Sequence, residues 1–147
     1  MTETASRCAP EGVSHSIPVR VYYEDTDAGG IVYHASHVRF FERGRTEFLR
    51  ALGVDQTDLA QDGPGLLFAV RRLEIDYLKA SRLDDLLTVT TSVCSFGGAR
   101  MTMKQVLSRG DDTIATAVVT IVGITREGRA RRIPDALRLL VGHPPHP

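Results

Sequence analysis

The densest group of chemically capable side chains in this chain is Tyr22-Tyr23-Glu24-Asp25-Thr26-Asp27-Ala28-Gly29-Gly30-Ile31-Val32-Tyr33-His34. A carboxylate in such a run can attack a carbonyl or activate water toward one. The paired glycines let backbone N–H groups come close to a ligand. If a helix starts just beyond, its first N–H groups and positive dipole end stabilise negative charge growing on a carbonyl oxygen. Asp-rich glycine loops also serve as plain turns, so spacing alone leaves both readings open.

Other chemistries fit the run poorly. Read as a calcium loop from Asp25, it has Asp27 at position three and Gly30 at position six. Ser36 then falls at position twelve, where a bidentate Glu is needed. A zinc site built on His34 and His37 lacks the further Cys or His ligands such sites use. The chain holds no G-x-S-x-G elbow, no Walker loop and no G-x-G-x-x-G. No metal and no cofactor is expected.

The loop needs elements to hold it. Val19 to Tyr23 alternate as a strand, with Val19, Val21 and Tyr23 on one face, and run into the loop. A helix is predicted from about Ser36 to Leu52, with Val38, Phe41, Phe48, Leu49 and Leu52 in one stripe and Gly44 at its edge. Ser36 reads as its N-cap and Gly53 as its C-terminal stop. Arg45, near the middle of the apolar stripe, reads as a structural ion pair or a snorkelling side chain.

Residues 53–65 read as a polar connection with one short helical turn. Beyond Leu66 the period becomes two. Phe68 and Val70 share one parity while Leu73, Ile75 and Tyr77 share the other, so a bulge is expected near Arg71-Arg72. Further strands are predicted at roughly 86–94, 100–108 and 113–124. The last is apolar on both faces, as a central or interface strand would be. One helix followed by an antiparallel meander argues an α+β fold. Residues 1–15 read as a flexible arm, 16–135 as one domain and 136–147 as a tail, its end HPPHP disordered.

A length of 147 residues suits a single domain, and 18 basic against 18 acidic residues leave no net field to draw the chain to nucleic acid or membrane. No apolar run approaches the roughly 20 residues of a membrane span, and the N-terminus lacks the apolar stretch of a signal peptide. Cys8 and Cys94 read as reduced thiols of a cytoplasmic protein. The stretch Arg126-Glu127-Gly128-Arg129-Ala130-Arg131-Arg132 places four arginines within seven residues. It suits phosphate, or a solvated surface equally well.

Residues 19–53, VRVYYEDTDAGGIVYHASHVRFFERGRTEFLRALG, resemble the opening of the YbgC-type acyl-CoA thioesterases. These form the Tol–Pal-associated branch of the 4-hydroxybenzoyl-CoA thioesterase family. Ile75-Asp76-Tyr77-Leu78 and Arg82 to Val89 are similar to that branch as well, and the likeness extends over about residues 17–135. It implies a hotdog fold, one long helix wrapped by a five- or six-stranded antiparallel sheet, assembling as a homodimer or homotetramer. It also implies hydrolysis of an acyl-CoA or acyl-carrier-protein thioester to free acid and thiol.

On that resemblance Asp27 is the catalytic acid, as nucleophile or general base. The backbone amide at His34 polarises the thioester carbonyl, with Gly30 beside the substrate. The His34 side chain orients the loop, positions water or simply makes a structural hydrogen bond. Tyr33 lines the acyl pocket or joins the core. The resemblance does not fix the coenzyme A contacts; from the arginine run, Arg126, Arg129 and Arg131 are candidates for its phosphates, with Lys79 and Arg82 behind them. Asp25 is expected to accept local backbone N–H bonds. Two rivals stand beside hydrolysis: hydration or dehydration of an acyl thioester on the same fold, and an envelope or lipid-synthesis interaction protein with weak activity.

Overall fold

A computed structural model describes residues 11–142. Strand β1 is Glu11–Arg20, helix α1 is Ser36–Ala51 and helix α2 is Gln56–Gln61. Strands β2 to β5 are Leu67–Tyr77, Leu86–Phe96, Arg100–Arg109 and Asp112–Ile124, and helix α3 is Asp135–Leu140. The strands form one five-stranded antiparallel sheet in the order β1-β3-β4-β5-β2. Short turns place β3, β4 and β5 side by side, as hairpin-linked strands do. β2 crosses to the far side of β5 and becomes an edge.

Alternation sets the faces. Val89, Met103, Leu107, Ala117 and Val119 point to the side that α1 covers, and all are fully or nearly fully buried. β5 is buried along most of its length between β4 and β2. The bulge in β2 falls between Val70 and Arg72, where the side-chain parity changes.

Helix α1 packs on β1, β3 and β4. Its buried face carries His37, Phe40, Phe41, Gly44, Phe48 and Leu49. The stripe is thus rotated from the expected one: Phe40 lies inside, while Val38 is 38% exposed. Gly44 explains the rotation. A Cβ there would stand 2.5 Å from Val89 Cγ1 and 3.0 Å from both Gln105 Nε2 and Thr91 Oγ1. The helix comes closest to the sheet at its one position without a side chain, and the flanking aromatics fill the space on either side.

Beneath Gly44 lies a satisfied polar knot. The buried Gln105 amide donates to the Phe41 carbonyl at 2.8 Å and to Thr91 Oγ1 at 2.9 Å. Its carbonyl oxygen accepts from Arg45 Nη1 at 3.1 Å. Arg45 is therefore anchored by a neutral amide and not by the expected ion pair, and burial lowers its pKa. Each partner is used, so the group costs little to bury.

Several boundaries differ from the sequence reading. β1 begins at Glu11, so residues 11–15 are strand rather than arm; residues 1–10 lie outside the described chain. The strand ends before Tyr23, which opens a 3₁₀ turn and is exposed while Val19 and Val21 are buried. Ser36 is the first residue of α1, not its cap: Ala35 holds that position without a side-chain bond. Gly53 does end the helix region in the left-handed conformation, at φ +82°.

The expected tail also fails. Leu137 and Val141 join the core, and the fully buried Arg138 donates to the carbonyls of Gly97 and Gly98 and lies over the Phe96 ring. Residues 136–142 therefore hold down the β3–β4 turn; the HPPHP segment lies outside the described chain. Cys94, at the bulge between Val93 and Ser95, is disulfide-bonded and not a free thiol, and Cys8 lies outside the described residues. Among the described residues no helix is long and apolar enough to cross a membrane.

Candidate active site

The Asp-rich loop is held by its own backbone. Asp27 N–H donates to the Ile31 carbonyl at 2.9 Å and Gly30 N–H to the Asp27 carbonyl at 3.0 Å, while Thr26 and Val32 form a bridge across the base. Gly30 sits at φ +82° with open space around its missing side chain, so its role in the turn is conformational. Val32 N–H donates to the Ser81 carbonyl at 2.8 Å, which ties the loop to the segment after β2.

The two acids part company here. Asp25 is buried; one carboxylate oxygen accepts from Tyr22 N–H at 2.8 Å and the other lies 3.5 Å from Arg39 Nη2. Its carbonyl accepts from Tyr33 N–H at 2.8 Å and from Ser36 Oγ at 3.0 Å. Asp25 thereby joins the loop to the start of α1. Asp27 is exposed. Its Oδ1 accepts from Gly29 N–H at 2.8 Å and Ile31 N–H at 3.4 Å, and its Oδ2 has no protein partner among the described residues.

Asp27, His34 and His37 line one cavity of about 380 Å³ with Tyr77, Leu78 and Lys79. Ile31, Val32 and Ala80 supply apolar wall. The N–H groups of His34 and Ala35, just ahead of α1, have no acceptor among the described residues. Such groups favour an anionic oxygen. The Tyr77 hydroxyl donates to the His34 carbonyl at 2.7 Å, clamping the end of β2 onto the helix entrance. Burial raises the phenol's pKa, which keeps it a donor.

Sequence reasoning passed over Tyr77 as one more inward strand residue, and considered His37 only as a zinc ligand. In the fold His37 is buried, with Nδ1 3.3 Å from the Tyr33 carbonyl and its ring edge-on to Tyr77 at 4.9 Å. Desolvation lowers its pKa, so it is neutral near pH 7. Four-residue spacing from Tyr33 was the available signal.

Other expected residues stand elsewhere. Tyr33 is 45% exposed, tilted against the His34 ring at 4.4 Å, and does not line the cavity within one chain. Lys79 reaches the cavity but is paired with Asp112 at 2.7 Å. Arg126 spends its guanidinium on the carbonyls of Ala60 and Gly63, at 2.8 and 2.6 Å. It fastens the α2–β2 connection and is not a free phosphate ligand. Tyr77, in the cavity, pairs with Ala115 near the start of β5, whereas Arg131 N–H donates to the Gly123 carbonyl near its end; eight strand residues put about 27 Å between them, and Arg129 lies in the turn beyond.

Residues 21–140 match the family model of the thioesterase-like superfamily. This chain belongs to that superfamily. Among thioesterases, it is 50% identical to the acyl-CoA thioesterase YbgC of Haemophilus influenzae over 106 residues, 72% of this chain and 77% of the relative. It is 42% identical to the acyl-CoA thioester hydrolase YbgC of Escherichia coli over 105 residues, 71% of this chain and 77% of the relative. The crystal structure of a probable thioesterase from Bartonella henselae superposes with a TM-score of 0.80 at 44% identity, covering 83% of this chain and 100% of that one. The superfamily's hotdog fold accounts for the five-stranded antiparallel sheet with α1 on one face.

Proposed function

We propose that this thioesterase hydrolyses acyl-CoA thioesters to free acid and thiol, with Asp27 as the working carboxylate. The observation that carries the reading is a single one: among the described residues, Asp27 has a carboxylate oxygen without a partner in a cavity shared with His34, whose N–H has no acceptor just ahead of a helix. The thioester carbonyl points its oxygen at the His34 and Ala35 amides and the positive end of α1. Asp27 takes a proton from water as it attacks the carbonyl carbon, or attacks that carbon itself to give an acyl anhydride that water then hydrolyses; either way the C–S bond breaks and the thiolate leaves, to be protonated by solvent. The relatives' names, acyl-CoA thioesterase and acyl-CoA thioester hydrolase, support the substrate class.

The working unit in this reading is a homodimer or a tetramer built from it. β2 is an edge strand that exposes Val70 and Tyr77, with Leu78 exposed just past its end, and an edge unpaired among the described residues invites another strand. Antiparallel pairing of two β2 edges about the Arg71-Arg72 bulge sets Tyr77 of one copy beside Leu67 of the other. Arg129 and Arg131 then approach the cavity across the interface, which their distance within one chain does not allow. They meet the coenzyme A phosphates there.

Free-thiol release over a panel of short-chain, long-chain and aromatic acyl-CoAs, with matched acyl carrier protein thioesters, tests the activity. Turnover of one group with saturable kinetics is expected. No thiol release from any member would overturn the reading.

A further inference from the structure

The cavity holds a second polar group that the thioesterase reading leaves unused. His37 Nδ1 faces the Tyr33 carbonyl at 3.3 Å. A carbonyl only accepts, so Nδ1 carries the ring proton. In the neutral ring Nε2 is then an acceptor; besides the Tyr33 contact the ring has a backbone hydrogen bond at His34, and no side chain among the described residues bonds Nε2. The ring is buried, lines the cavity that holds Asp27, and is fixed in rotation by Tyr77 standing edge-on at 4.9 Å and 88°. Tyr77 is itself tied to the His34 carbonyl.

From this geometry we infer that His37 is a positioning residue that orients the hydrolytic water through Nε2. The inference rests on the thioesterase reading of this cavity. Water has two protons to place. One goes to Asp27 when the carboxylate acts as general base; where Asp27 has first displaced the thiolate to form an acyl anhydride, it goes to the Asp27 carboxylate released as the anhydride C–O bond breaks. The other is held by His37 Nε2, which turns the oxygen lone pair toward the carbonyl carbon. In the general-base route the C–O bond forms as the first proton passes to the carboxylate, the C–S bond breaks, and the thiolate leaves to be protonated by solvent. His37 keeps its charge throughout. Lowering of its pKa by burial, with His34 nearby, keeps the acceptor available at neutral pH.

The test compares His37→Phe, His37→Gln and His37→Met in the full chain, with Asp27→Asn as reference, on whichever acyl-CoA the wild type turns over. His37→Phe keeps a ring but removes the acceptor; kcat is expected to fall roughly tenfold, as for one lost hydrogen bond, with KM unchanged. His37→Gln returns an amide acceptor near the Nε2 position and is expected to recover several-fold over His37→Phe. Should the Phe variant fail to fold, the Gln and Met pair carries the same comparison, because their lengths match and only Gln accepts strongly. A folded His37→Phe with wild-type kcat, or a Gln variant no faster than its Met counterpart, overturns the inference. If Asp27→Asn is fully active, the thioesterase assignment of the cavity has failed with it; if Asp27→Asn is slow and His37→Phe is not, only the role of His37 has failed.

Discussion

At the residue scale, two acids two positions apart meet different fates. Asp25 is buried and spends its carboxylate on Tyr22 N–H and Arg39; Asp27 is exposed and has one oxygen without a partner among the described residues. Asp27→Asn is expected to keep the fold and substrate binding while lowering kcat by roughly 10²-fold or more, as for loss of a nucleophile or general base. Asp25→Asn is expected to cost about 1–3 kcal/mol of stability, because a buried donor is put where acceptors served Tyr22 and Arg39. Steady-state kinetics beside urea unfolding of both variants separates the two; a fully active Asp27→Asn enzyme with an inactive, folded Asp25→Asn enzyme would reverse the assignment. His37 adds a pH signature. Its folded-state pKa lies below the ordinary 6.5, so the unfolded chain takes up a proton first as pH falls. The stability it contributes is full above 6.5 and is lost as pH falls through the folded-state value. His37→Phe is expected to flatten that acid decline in melting temperature, and an unchanged pH slope would argue against a buried neutral ring.

At the scale of elements, α1 depends on Gly44. A side chain there meets Val89, Thr91 and Gln105 in the tightest part of the helix–sheet contact. Gly44→Val is expected to destabilise by about 1–3 kcal/mol through overpacking, beyond any gain from helix propensity. Because the His34 and Ala35 amides lead directly into α1, the same variant should lower kcat more than a surface helix substitution of equal stability cost. Thermal unfolding and thiol release on one preparation measure both. The helix was legible in the sequence from its 3.6-residue period and Gly53, but its exact face was not. Val38 and Phe40 are both apolar, and the choice between them came from where Gly44 lets the sheet approach.

At the scale of the whole molecule, the proposed dimer rests on the β2 edge, unpaired among the described residues, and on the roughly 27 Å of strand between the cavity and Arg131. Light scattering at micromolar concentration is expected to give a dimer or tetramer mass. Val70→Lys, on the exposed edge, is expected to shift that mass toward the monomer and to raise KM for acyl-CoA with it. A monomeric wild type with full activity would remove the interface from the mechanism.

Sequence alone determined what is written locally. The Asp-Gly loop, the helix behind it, the period-two strands and the β2 bulge each follow from residues within a few positions, because turn chemistry and side-chain periodicity act over that range. The local backbone bond of Asp25 to Tyr22 belongs with them. Tertiary structure decided what depends on strands meeting across the chain. It set the order β1-β3-β4-β5-β2, which put Tyr77 on the His34 carbonyl 43 residues away. It turned His37 into the Asp27 cavity, drew Arg138 out of an expected tail into the core, and tied Arg126 to the carbonyls of Ala60 and Gly63. Nothing in a short window encodes these pairings: they are chosen by which buried surfaces and hydrogen-bonding groups can all be satisfied at once when the sheet closes over α1.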